Sequence, residues 1–169
     1  MTYRTRTYIA GDWTNDKDAI DQLYKWNDSD YWGLDFVDVH KFHQSSDESL
    51  DCSIKSSLRE RMDTCKTFVL VVGDKTNETT SGSCSNCSSY FYGTCKKNIA
   101  TSDKSYIQFE CDKAVRDKLR IIVLYNSTRV NKLKCPESVR NIGVHIPMKI
   151  YKDGQLQWNY SLIKNSINN

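Results

Sequence analysis

Two continuously apolar, β-branched runs, FVLVVG at 68–73 and RIIVLY at 120–125, have the pattern of strands covered on both faces. Weaker strand patterns, RTYIAGD at 6–12 and LDFVDV at 34–39, each end in an acid where the chain would leave a sheet. VHIPMKI at 144–150 reads as a last, edge strand, where Pro147 is tolerable. Between these runs the apolar spacing turns helical. Asp16 to Asn27 puts Ala19, Ile20, Leu23 and Tyr24 on one face, and Asp47 to Asp63 does the same with Leu50, Ile54, Leu58 and Met62. A third helix is expected from Ser105, which forms a capping box with Gln108 ahead of a stripe of Ile107, Cys111, Ala114 and Val115. A final helix is expected over 155–167, with Leu156, Tyr160, Ile163 and Ile167 available for packing.

Alternating strands and helices imply a three-layer α/β domain around a mainly parallel, five-stranded sheet. In the flavodoxin-like strand order 2-1-3-4-5, ligands bind beyond the carboxyl ends of the strands, beside strand one. The segments GDWTND at 11–16 and DVHKF at 38–42 fall at that switch point. On the third helix one acid, Glu110, lies at the border of the apolar stripe, one turn after Tyr106 and next to Phe109. Such a place is neither core nor free surface.

The length of 169 residues accommodates one domain, taken as 1–169. No apolar run approaches a membrane span, and the amino terminus lacks the pattern of a signal peptide, so the expected compartment is the cytoplasm without membrane attachment. The net charge of +3 arises from 24 basic and 21 acidic residues spread along the chain, with no basic block of the kind that recruits nucleic acid. VVGDKT lacks the Gly-x-x-x-x-Gly-Lys phosphate loop, which excludes a nucleoside triphosphatase of that type.

One polar excursion, 74–104, breaks the alternation and carries a cysteine-containing insert at about 77–104. Cys84 and Cys87 have a two-residue gap suited to a tetrahedral zinc, with Cys95 and Cys111 as further ligands. The favoured alternative has reduced thiols in a loop anchored by Tyr90, Phe91 and Tyr92, because short cysteine motifs often arise without a metal and a disulfide is disfavoured in the cytoplasm; a catalytic zinc is not expected, since His40, His43 and His145 are not spaced with these cysteines.

Taken together in this order, YIAGDWTNDKDAI, FVDVHKF, SIKSSLRERMDTCKTFVLVVGDKT and SYIQFECDKAVRDKLRIIVLYN closely resemble the bacterial TIR-like family of Thoeris antiphage systems, and in particular its small sensor-enzyme component. The likeness covers most of 4–150. In TIR domains that consume NAD, the third helix opens with an aromatic residue and carries a glutamate four positions later, which here are Tyr106 and Glu110. Tyr106 stands where tryptophan is common, and the cysteine loop is absent from many relatives.

The resemblance implies an NAD glycohydrolase, ADP-ribosyl cyclase or transferase, with NAD as substrate and no cofactor. Its product would be a cyclic ADP-ribose isomer or a histidine–ADP-ribose adduct that reaches a separate effector, after activation by a phage component. Glu110 is then the catalytic carboxylate, and Asp12, Trp13, Asp38, His40 and Tyr106 are substrate-binding candidates. Five of these also have a structural reading: Glu110 as a solvated acid pairing with Lys113, Trp13 as a core or rim aromatic, Asp12 and Asp38 as loop or helix caps, and His40 as a surface histidine. TIR domains also act as adaptors by assembling with one another, so a homo-oligomer without chemistry is the competing class.

Overall fold

The computed structural model describes residues 6–37, 51–92, 94–95 and 103–169. In chain order the elements are β1 (Arg6–Ala10), α1 (Lys17–Asn27), α2 (Asp51–Met62), β2 (Cys65–Val72), the short β3 (Tyr90–Phe91) and β4 (Thr94–Cys95), and α3 (Tyr106–Arg116). They continue with β5 (Arg120–Tyr125), β6 (Val144–Pro147), β7 (Lys149–Lys152), β8 (Gln155–Trp158) and α4 (Tyr160–Asn168). Four strands form a sheet in the order β1-β2-β5-β6, and every neighbouring pair is parallel.

Register divides the core into two halves. Tyr8 lies opposite Phe68, and Phe68 opposite Ile121; together with Leu70, Val123 and Tyr125 they face α2 and α3. The alternate residues Ile9, Val69, Val71, Ile122 and Leu124 pack with Leu23 and Trp26 of α1 and Ile163 of α4. β2 and β5 are central, which accounts for their unbroken hydrophobic runs: both faces are dry.

The described sheet corresponds to expected strands one, three, four and five. Residues 34–37 are not a strand, although Val37 accepts a backbone hydrogen bond of 2.9 Å from Thr7 on the outer side of β1. The remainder of the expected second strand, 38–39, lies outside the described residues, as does the start of the expected second helix at 47–50. A five-stranded order is therefore not established.

The carboxyl-terminal expectations need correcting in two places. The run at 144–150 divides into β6 and β7, and 155–158 is not the first turn of a helix but β8, paired antiparallel with β7. Asp153 and Gly154, with φ of 51° and 75°, form the tight turn between them. An Asp-Gly pair with positive φ at both positions twists two strands into a hairpin, and that local geometry overrides the helical spacing of Leu156 and Tyr160. The helix proper begins at Tyr160.

Among the described residues no helix is long and apolar enough to cross a membrane. At the head of α3 the capping box forms as expected: Gln108 N–H donates to Ser105 Oγ at 3.2 Å, and Ser105 N–H donates to Gln108 Oε1 at 3.0 Å. Ser105 is itself buried, so water does not substitute readily for its hydroxyl. Ser105→Ala is expected to destabilise the protein by about 1 kcal/mol, read in thermal melts as a fall in Tm of about 2–4 °C.

Candidate functional site

Glu110 is buried, with 4% of its surface exposed. It lies at i+3 from Ile107 and i−4 from Ala114, so it occupies the apolar stripe of α3 itself rather than the stripe's border. Facing it from β1 is Tyr8, whose hydroxyl donates to Glu110 Oε1 at 2.5 Å. The Tyr8 ring is wholly buried and stacks on Phe68 of β2, with centroids 5.9 Å apart and planes at 16°. A carboxylate taken out of water is costly unless donors replace its hydration, and a phenol held by two neighbouring strands is one such donor.

The expected pairing of Glu110 with Lys113 does not occur. Lys113 is also buried, and its ammonium donates to Asp63 and to Asp117, both at 2.6 Å. Arg59 of α2 lies over the ring of Phe109 at 6.0 Å. The Cys111 thiol is pushed well above its ordinary range, first by burial and then by the negative charge of Glu110. That thiol is therefore protonated and packs as core.

Tyr106 stands one turn before Glu110, half-buried against the same core. Its N–H donates to Ser81 O at 2.8 Å, and its ring lies over Gly82. Gly82 has φ +92°, and a Cβ there would come within 2.5 Å of the Tyr106 ring, so both backbone shape and close approach require glycine. The polar insert thus has a definite task at its start: it seats the aromatic residue that opens α3.

Asp12 and Trp13 occupy the loop that follows β1. Asp12 organises that loop, accepting from Thr14 N–H at 2.9 Å, Asn15 N–H at 3.0 Å and Asn15 Nδ2 at 2.6 Å. Burial opposes its charge, but the bonds from the Asn15 side chain and from the Asn15 and Thr14 backbones hold its carboxyl below the ordinary value. Trp13 is 41% exposed and its ring meets Tyr24 of α1 at 5.9 Å. The geometry agrees with loop-capping for Asp12 and a rim aromatic for Trp13, at the carboxyl edge of the strand that carries Tyr8.

A second buried acid lies at this edge. Asp16 is 3% exposed and its carboxylate presses on Gly73, where a Cβ would sit only 1.9 Å from Oδ1. Asn126, just after β5, donates from Nδ2 to Asp16 Oδ1 at 3.1 Å and to Asp18 Oδ1 at 2.9 Å. Among the described residues, Asp16 Oδ2 and Asn126 Oδ1 are buried without a hydrogen-bond partner. Burial raises the Asp16 pKa; the Asn126 bond opposes this, while the charges of Asp12, Asp18 and Asp74 add to it.

Asp38 and His40 lie outside the described residues, as does His43. Among the described residues no group of three or more His, Cys, Asp or Glu side chains could hold a metal ion, and Cys84, Cys87, Cys95 and Cys111 are not gathered into such a group. Cys84 sits in a short 3-10 turn and Cys111 in the core of α3; all four are free thiols. Sequence reasoning missed Tyr8, Asp16 and Asn126. A tyrosine inside a buried strand was the one available signal, because its hydroxyl needs a partner there.

One family, described as the TIR-like domain of the Thoeris protein ThsB, matches residues 8–81. The match begins at Tyr8 within β1, covers α1, α2 and β2 and ends before α3, so it includes neither Tyr106 nor Glu110. No curated protein matches the chain.

The raised pKa of Asp16 makes a stability prediction. Because the folded state binds this proton more tightly than the unfolded chain, its contribution is complete below the ordinary value of 3.8 and is lost as pH rises through the raised value. Asp16→Asn removes that loss and replaces the unpartnered Oδ2 with an amide N–H donor beside Asn126, whose Oδ1 is unpartnered. The variant is expected to melt about 2–4 °C above the parent at neutral pH, with the gain disappearing in melts near pH 3.

Proposed function

With residues 8–81 carrying the sequence of the Thoeris TIR-like family, we propose that the chain is an NAD-consuming TIR enzyme whose catalytic carboxylate is Glu110. The family supports a role in antiphage defence. The observation that carries the enzymatic reading is a glutamate buried on α3, one turn after an aromatic residue, on a parallel α/β sheet.

The chemistry asks little of the protein beyond this. The bond between ribose and nicotinamide breaks with its electron pair moving to the pyridinium, which leaves as neutral nicotinamide and needs no proton from a general acid. Positive charge grows on the ribose, and a nearby carboxylate in a largely dry site stabilises it while accepting hydrogen bonds from sugar hydroxyls. A nucleophile then bonds to the anomeric carbon and releases its proton. Water gives ADP-ribose, an internal nitrogen or hydroxyl a cyclic isomer, and histidine an adduct.

On this reading Tyr106 and Trp13 offer flat surfaces for the bases, Asp12, Asp38 and His40 line the substrate side, and the product carries the signal to an effector. Glu110→Gln is expected to lower nicotinamide release from NAD by about 100-fold or more, measured by chromatography with and without lysate from infected cells to supply a phage activator. Turnover retained in that variant would remove Glu110 from the mechanism. No nicotinamide from the parent protein in either condition, with signalling intact, would favour the adaptor class.

A further inference from the structure

The same carboxylate depends on a residue that lies on another element. We propose that Tyr8 is the positioning residue of Glu110: its phenol O–H holds Oε1 in place and keeps the acid ionised for the developing sugar cation. The inference rests on the catalytic role assigned to Glu110 above.

Three observations support it. The hydroxyl-to-carboxylate distance of 2.5 Å lies in the range of charge-assisted O–H···O⁻ bonds. The donor is held by packing: Tyr8 is 0% exposed, stacked on Phe68 and set in the β1–β2 register opposite it. The acceptor is on a helix whose start is held by the Ser105 capping box, so the bond joins two fixed elements.

A phenol serves this purpose better than a cation. It stabilises the ionised carboxylate without neutralising it, leaving the negative charge that an oxocarbenium-like sugar requires. Several ionisable groups on the surrounding elements have partners of their own. From α2, Lys55 donates to Lys104 O, Arg59 rests on Phe109, and Asp63 after the helix takes Lys113. On α3, Lys113 is held by Asp63 and Asp117, Asp112 pairs with Lys104, and the Cys111 thiol is protonated. From the turn after β5, burial also raises the Cys135 thiol, and Arg140 donates to Cys135 O.

Tyr8→Phe removes the hydroxyl and keeps the ring on Phe68. Its kcat for nicotinamide release is expected to fall about tenfold with KM within about twofold, and the acidic limb of the pH–kcat profile to move up by about one unit. A second readout needs no turnover: ¹³C-carboxyl NMR of the five glutamates, with Glu110 assigned from Glu110→Gln, should show the Glu110 titration midpoint rising in Tyr8→Phe. Should that variant not fold, site-specific 3-fluorotyrosine at position 8 supplies a more acidic donor and moves both limb and midpoint the other way.

An unchanged Glu110 midpoint together with an unchanged kcat profile in Tyr8→Phe overturns the proposal. Full activity in Glu110→Gln overturns the catalytic reading and the positioning role with it, even where the NMR midpoint shifts. A shifted midpoint with parental kcat and limb reduces Tyr8 to a structural partner and equally rejects the proposal.

Discussion

A carboxylate buried between a helix and a parallel sheet is stable as an anion only where fixed donors stand in for the water it has lost. Glu110 has such a donor in Tyr8, and the position of that donor is set by strand pairing rather than by local sequence. Register places Tyr8 against Phe68, ring stacking stiffens the phenol, and the capping box starts α3 at the residue that puts Glu110 one turn in. A register slip of one residue in β1 would turn Tyr8 to the α1 side and leave the acid without this bond.

The two faces of the sheet do different work. The face under α2 and α3 combines an apolar core with Glu110 and Lys113, each provided with polar partners. The face under α1 and α4 is a conventional packing layer in which Trp26 meets Trp158 and Tyr160. Where β1, β2 and β5 end, Asp12 orders one loop while Asp16, Gly73 and Asn126 close the space between loops. At this edge Asp16 is buried with its Oδ2 unpartnered, and burial works against its charge.

This arrangement suits a reaction with a self-sufficient leaving group. Nicotinamide departs without a proton, so a site with one carboxylate and aromatic surfaces is chemically adequate, and no second acid at glycosidase spacing is required. The aromatic at the start of α3 is seated by Gly82, which links the cysteine insert to the head of that helix through packing. Family likeness reaches from β1 to the start of that insert, and the residues of α3 rest on their own chemistry and geometry.

The amino-acid sequence by itself determined the layered α/β plan, the two dry central strands and the start of α3, because these follow from hydrophobic period and from a capping motif closed within four residues. Spacing put Glu110 one turn after Tyr106 on that helix, and the resemblance to NAD-consuming TIR domains, not the spacing, made the pair site candidates. The sequence did not disclose the β7–β8 hairpin, although Asp153–Gly154 signalled a turn, since the helical spacing that follows was the longer pattern. Only the tertiary structure decided that Glu110 is bonded to Tyr8, that Lys113 belongs to Asp63 and Asp117, and that Asp16 meets Asn126. The bonds Tyr8–Glu110, Asp63–Lys113 and Asp16–Asn126 join residues 102, 50 and 110 positions apart. Such pairings come from strand order and helix placement, which no local period encodes.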